Sequence, residues 1–259
     1  MEFGTFSERI SSAGYDGVEM NLATDPAEKK QQLETLKSHG LELLAQHALT
    51  RCPDFEEHLE QYTNRVAEIA EENPLLINTH TGRDWFSFEQ NQEIIAAAAQ
   101  VSKDSGIPIV HETHRGRFSF CAATTYRFLE ADPGLRLCAD FSHWCTVSES
   151  FLSDQSHFVE AAIQRTYHIH ARIGFDQGPQ VNDPRAPEWQ SAIQIFMGWW
   201  DKIVAYHEEK GSELLPITTE FGPAPYMPTL PLTQQPVASQ WEVNLHMLDL
   251  LKKRYKQDK

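Results

Sequence analysis

Seven short apolar runs, each breaking off into polar residues and each followed by a longer segment of helical composition, constrain this chain more than any other feature. They are YDGVEM (15–20), LELLAQHA (41–48), LLINTHTG (75–82), IPIVHETH (107–114), LRLCADFSH (135–143), YHIHARIG (167–174) and LPITTEFG (214–222). Between them lie stretches such as TDPAEKKQQLETLKSHG, where Asp25 is placed to cap a helix, Pro26 to fill its first turn and Gly40 to stop it. In DFEEHLEQYTNRVAEIAEEN the apolar positions fall at helical spacing.

Strands alternating with helices, recurring about every 30 residues, predict a parallel sheet with helical crossovers. Seven repeats are one short of eight, so the expected fold is an α/β (β/α)8 TIM barrel whose first strand is missing or truncated at the N-terminus. MEFGTFSERISSAG reads as a loop and helix leading into Tyr15. The first strand is then absent or reduced to the residues around Phe3, as a late start or a trimmed chain would leave it. A doubly wound open sheet would carry a Gly-rich phosphate turn after an early strand, and the sequence has none. GFDQGPQVNDPRAPEW (174–189) and FGPAPYMPTLPLTQQPVASQ (221–240) are rich in Pro and Gly, and each follows a strand. Long loops at strand C-terminal ends are where a barrel builds its site. Helices of ordinary composition follow both, so residues 1–259 are expected to form a single domain.

Charge narrows the partners. A formal net charge of -15 and a pI near 5.2 repel nucleic acid and anionic membranes, which leaves a small molecule. No apolar stretch approaches the roughly 20 residues that span a bilayer. The four cysteines, Cys52, Cys121, Cys138 and Cys145, form no CxxC pair, and nothing at the N-terminus reads as a secretory signal. A reduced, cytoplasmic protein is expected.

In the last five runs a metal-capable or acid/base side chain sits at or near the strand's C-terminal end: His80, Glu112, Asp140, His170 and Glu220. In a barrel those ends converge on one pocket. Three carboxylates and one imidazole (Glu112, Asp140, Glu220 and His170) make an oxygen-rich set that favours Mn²⁺, Mg²⁺ or Co²⁺ and accommodates Zn²⁺. His168 competes with His170, since both point to one face of one strand; His170 is preferred because it lies nearer the C-terminal end. Cys138 reads as core packing. Glu112 and His114 share a face, so His114 is a candidate to line the pocket, whereas His111 should point toward the helices. The string HETH is one residue too short for the zinc-protease HExxH and lies on a strand.

The ordered set GYDGVE, VHETH, ADFSH, HIHAR and TTEFG resembles the xylose isomerase-like TIM-barrel superfamily, from about Gly14 to Glu220. That superfamily includes sugar isomerases and epimerases, inosose dehydratase and nucleases of the endonuclease-IV type. The resemblance implies that Glu112, Asp140, His170 and Glu220 bind a catalytic divalent metal and that His143 and Arg172 hold substrate oxygens. It also implies that Glu112 and Glu220 are the catalytic pair that exchanges a proton through an enediolate. In the nuclease members, histidines at the positions of His47 and His80 bind further zinc ions with an Asp-x-His. Here that loop reads NDPR, with Asp183 and then Arg185, so His47 and His80 become substrate contacts or structural residues.

Arg51, Arg83, Arg115, Arg117, Arg172 and Arg185 fall just beyond strand ends, where no lysine does. Planar forks suit a carboxylate or phosphate, so Arg115 and Arg185 join the substrate-binding set and an anionic or acid-like substrate is expected. Glu19 is more readily a structural hydrogen-bonding residue than a catalytic one. Trp85, Phe86, Trp144, Trp189 and Tyr226 could form an apolar wall against a sugar ring. Trp199 and Trp200 read as packing or a subunit interface, which is compatible with a homo-oligomer. The leading expectation is a metal-dependent sugar or sugar-acid isomerase or epimerase. The alternatives are an inosose-type dehydratase, a non-catalytic sugar-binding protein and, last, an endonuclease.

Overall fold

A computed structural model describes residues 2–256 and places a strand in each of the seven apolar runs. The first four strands pair in parallel in chain order, and so do the last three. The chain resolves into two compact units, Met1–His111 and Glu112–Lys259.

The first unit opens with helix α1 (Phe3–Ser12). The residues around Phe3 are therefore helical, so of the two expectations for the first strand the missing one holds: no strand precedes β1 among the described residues. The unit continues through β1 (Gly17–Met20), α2 (Pro26–Ser38), β2 (Glu42–His47), α3 (Phe55–Ala70), β3 (Leu76–Thr79), α4 (Phe88–Ser105) and β4 (Ile109–Glu112), whose last residue, Glu112, opens the second unit. The Asp25 side chain accepts hydrogen bonds from the Ala27 and Glu28 amides, and Gly40 adopts a φ of 64° that a side chain would resist. Helix α3 buries His58, Tyr62, Val66 and Ile69, a face that recurs every three or four residues. Glu19 accepts a hydrogen bond from Asn78 Nδ2 at 2.8 Å.

His111 does face the helical side. Its Nδ1 lies 2.6 Å from Thr81 Oγ1, and the Tyr62 hydroxyl of α3 donates to Thr79 Oγ1 at 3.0 Å. Burial pushes the His111 imidazole down from 6.5 to about 3, so the folded chain keeps it neutral where the unfolded chain takes up a proton. Stability from this group is then complete above about pH 6.5 and is lost as pH falls toward about 3, at no more than about 1.4 kcal/mol per pH unit. Denaturant unfolding between about pH 7 and about pH 5 should show that slope flattened in His111→Gln relative to wild type. An unchanged slope would remove His111 as its source.

The second unit contains α5 (Ala122–Ala131), β5 (Leu137–Ala139), α6 (Phe141–Val147), α7 (Ser156–Ile163), β6 (Thr166–His170), α8 (Gln190–Glu209), β7 (Ile217–Thr218) and α9 (Gln240–Tyr255). Past β4, the Thr113 amide donates to Cys138 O at 3.0 Å. Strand β7 has only two residues, far fewer than LPITTEFG suggested, because side-chain amides take over its backbone. Asn244 of α9 accepts from the Phe221 amide (3.0 Å) and donates to the Phe221 carbonyl (2.9 Å); Gln180 treats Gly222 the same way, at 2.7 and 3.1 Å. Side-chain partners satisfy the backbone here where a ladder would.

Trp200 is 1% exposed and packs in the core of this unit, as one of its two readings required. Trp144 is fully buried, stacks on Phe141 and donates its indole N–H to Ser119 O at 2.8 Å. It cannot line a sugar wall. Neither can Phe86, buried edge-on against Phe55 and His58 in the first unit. No helix among the described residues is long and apolar enough to cross a membrane.

Candidate active site

Four strand ends of the second unit supply the constellation. Glu112 ends β4, Asp140 follows β5 and caps α6, His170 ends β6, and Glu220 lies two residues beyond β7. One donor atom from each lies within 4.8 Å of the others. His170 Nδ1 stands 2.7 Å from Glu220 Oε2 and 3.6 Å from Glu112 Oε2. Glu112, Asp140 and His170 are buried, and the Glu220 side chain keeps 25% of its surface exposed. Cys138, His168 and His170 also bring donor atoms together. His168, however, is held one layer deeper, Nδ1 on Pro216 O at 3.0 Å and Nε2 on Thr218 Oγ1 at 3.3 Å.

Three carboxylates share this interior with one guanidinium. Arg172, 2% exposed, ion-pairs with Asp140 Oδ2 and stands 3.5 Å from Glu220 Oε1. Burial works against the Arg172 charge, but Asp140 and Glu220 outweigh it and keep it cationic. Burial pushes the Asp140 carboxyl up to about 6; Arg172 opposes the rise, and Glu220 and Glu112 add to it. The cluster is short of positive charge, and its donors are oxygen-rich. Both features fit a hard or borderline divalent cation.

Arg172 Nη2 lies 2.9 Å from His143 Nε2. A guanidinium only donates, so Nε2 is the acceptor and the imidazole is neutral with its proton on Nδ1. Burial holds His143 well below its ordinary value, helped by His114 and Arg172. Its Nδ1 and the Arg172 Nε are buried and make no hydrogen bond. They are donors available to a ligand's oxygens. The His114 ring lies 3.9 Å from that of His143, and its Nδ1 approaches Arg115 O at 2.6 Å.

The remaining expected residues have defined places. Arg185 donates from Nε and Nη2 to the two carboxylate oxygens of Asp183, at 2.8 and 2.7 Å. This local fork is already engaged. His47 and His80 belong to the first unit; His47 is buried with Nε2 2.7 Å from Thr50 Oγ1, and the His80 amide donates to His47 O. Trp189 and Tyr226 line a cavity of about 540 Å³ between the two long loops of the second unit, with Phe175, Gln180 and Arg115. Tyr226 ties that cavity to the acidic cluster, since the Arg172 guanidinium carbon lies 4.5 Å from the centre of its ring.

Ser142, Gln180 and Asn244 are supporting residues that the sequence reading did not single out. Ser142 donates from both its amide and its hydroxyl to Asp140 Oδ1. A Ser two residues after an Asp at a helix start was the available signal, whereas Gln180 and Asn244 had none. Ser142 is also held from behind: a Cβ on Gly174 would fall 2.6 Å from Ser142 Cβ and 3.0 Å from Pro179 O. Gly174→Ala should therefore shift Ser142 and with it Asp140, lowering kcat/KM by about tenfold or more at a stability cost of about 1–3 kcal/mol. A wild-type rate in that variant would show that Asp140 tolerates the shift.

The comparisons agree with this architecture. Residues 7–177 match the xylose isomerase-like TIM barrel family, and the chain belongs to that family. The match ends at residue 177, before Glu220. Among solved structures, the xylose isomerase-like TIM barrel protein of Mycobacterium smegmatis in complex with magnesium is similar over 98% of this chain and 90% of its own (TM-score 0.62, 10% identity). The probable 3-DHS dehydratase AsbF of Bacillus anthracis is similar over 98% and 94% (TM-score 0.60, 16% identity). A sugar phosphate isomerase/epimerase of Parabacteroides distasonis is similar over 98% and 92% (TM-score 0.59, 13% identity). At these identities the likeness is one of fold. No curated protein matches the sequence significantly.

Proposed function

We propose that this protein is a divalent-metal-dependent isomerase or epimerase of sugars or sugar acids, in which Glu112 and Glu220 move a proton to and from the substrate. The observation that carries this reading is the meeting of one donor atom each from Glu112, Asp140, His170 and Glu220 within 4.8 Å, in an interior with an excess of carboxylates. Those four residues would hold the ion, with Mn²⁺, Mg²⁺ or Co²⁺ favoured and Zn²⁺ accommodated. When bound, such an ion polarises a substrate carbonyl and acidifies the adjacent C–H.

The chain's own residues do the rest. Glu112 and Glu220 are bases that take a proton from the carbon beside the carbonyl, giving an enediolate, and return it to the neighbouring carbon or to the opposite face. His143 Nδ1–H and Arg172 Nε–H orient substrate oxygens. Trp189 and Tyr226 cover the substrate and exclude water. The similarity in fold to a sugar phosphate isomerase/epimerase supports the reading.

Incubation of the metal-loaded protein with a panel of ketoses and sugar acids in D2O tests it. Deuterium should enter the substrate beside its carbonyl while the product keeps the substrate's composition; no exchange with any member would refute the reading. Similarity over nearly the whole chain to a probable dehydratase favours one second reading, the same proton abstraction followed by expulsion of a hydroxyl. A product lighter by one water would select it.

A further inference from the structure

Several arginines follow strand ends in this acidic chain, and the fold commits them differently. Arg172 is buried against Asp140 and Glu220, and Arg185 is locked on Asp183. Arg83 donates to the Arg51 carbonyl at 3.0 Å. Arg115 is exposed, forms no ion pair among the described residues, and alone of these lines the cavity of about 540 Å³.

The cavity's chemistry is one-sided. Phe175, Trp189 and Tyr226 give it aromatic surface, Gln180 and Asn182 give it neutral amides, and no carboxylate lines it among the described residues. Its size lies in the roughly 300–1,000 Å³ range of small-ligand pockets. Its wall is preformed: Gln180 grips both backbone polar groups of Gly222, and Asn182 Oδ1 accepts from the Trp189 indole at 2.6 Å. Tyr226 connects it to the chemistry, with the Arg172 guanidinium carbon 4.5 Å and the Arg115 guanidinium carbon 5.8 Å from its ring centre. A ligand reaching from the acidic cluster across Tyr226 would place its far end at Arg115.

We infer that Arg115 is the specificity-determining residue of this site and takes the carboxylate or phosphate of an anionic sugar derivative, while Phe175, Trp189 and Tyr226 cover its carbon skeleton. This rests on the isomerase or epimerase reading for what happens at the other end of the ligand. A planar fork with no carboxylate partner can present two parallel N–H groups to such an anion at little desolvation cost. A chain of net charge -15 would otherwise repel it.

Isothermal titration of the magnesium-loaded protein with D-fructose, D-gluconate and D-fructose 6-phosphate tests this. At least one of the two anions should bind about tenfold or more tightly than D-fructose. Whichever binds more tightly identifies the anion as carboxylate or phosphate. Arg115→Gln should bring that anion down to the level of D-fructose without changing D-fructose binding, and Arg115→Lys should keep part of the preference. Anions binding no better than D-fructose, or a preference that survives Arg115→Gln, would overturn the inference. Because the readout is binding, a wild-type protein that exchanges no deuterium but keeps the Arg115-dependent preference would lose the proposed reaction and retain the anion site.

Discussion

Glu112→Gln and Glu220→Gln should each lower the rate of substrate deuterium exchange by about 10³-fold while leaving the fold intact. Positioned general acids and bases contribute about 10²–10⁴-fold, and glutamine keeps the shape of glutamate without its basicity. The stability sign runs opposite to the activity sign. Burial, and after it Glu220 and Glu112, push the Asp140 carboxyl up, so removing either glutamate charge relieves repulsion among buried groups. Metal-stripped Glu220→Gln should thus unfold at the same or a higher denaturant midpoint than wild type, and should hold Mn²⁺ more weakly in equilibrium dialysis. Exchange within about threefold of wild type in both variants would end the two-glutamate mechanism; a collapse in stability would mean that these carboxylates are structural.

Arg172→Met should cost about 3–5 kcal/mol of stability in metal-stripped protein, the range for removing one partner of a buried charge pair. Arg172 is the cation against which Asp140 and Glu220 stand, and it is the donor to His143 Nε2. Its loss leaves buried carboxylates uncompensated and deprives that imidazole nitrogen of its donor. If a divalent cation belongs at the same cluster, Mn²⁺ should restore part of the loss by stabilising only the folded chain, an effect that grows with the logarithm of its concentration. Urea unfolding of wild type and Arg172→Met with and without Mn²⁺ measures both quantities. Arg185→Met is the control, since its partly exposed pair with Asp183 should contribute no more than about 1 kcal/mol. Equal effects for the two variants would show that Arg172 is not the keystone of the charge cluster.

The two arginines also show why a site is harder to read from sequence than a fold. Both follow strand ends, and in the linear chain they look alike. Arg172 sits at the end of β6 where the neighbouring strands deliver Asp140 and Glu220, whereas Arg185 folds back on Asp183 two residues away. The aromatic residues divide in the same way. Trp144 and Trp189 are both candidates in the sequence for an apolar wall, yet helix α6 turns Trp144 into the core against Phe141, and the loop before α8 turns Trp189 to the cavity. Exposure depends on what packs above a residue, and the residue's own neighbours in sequence do not encode it.

The sequence by itself determined the seven parallel strands, the alternation with helices, the cap at Asp25, the turn at Gly40 and the helix-facing direction of His111. Each of these follows from a local period or a local backbone requirement, which a short window of residues contains. Only the tertiary structure decided that β7 would stop at Thr218, that Gln180 and Asn244 would hold the loop beyond it, and that Arg115 would be the arginine lining the cavity. Those outcomes depend on polar groups far apart in the chain satisfying one another, and a hydrogen bond between Asn244 and Phe221 leaves no periodic trace in the sequence.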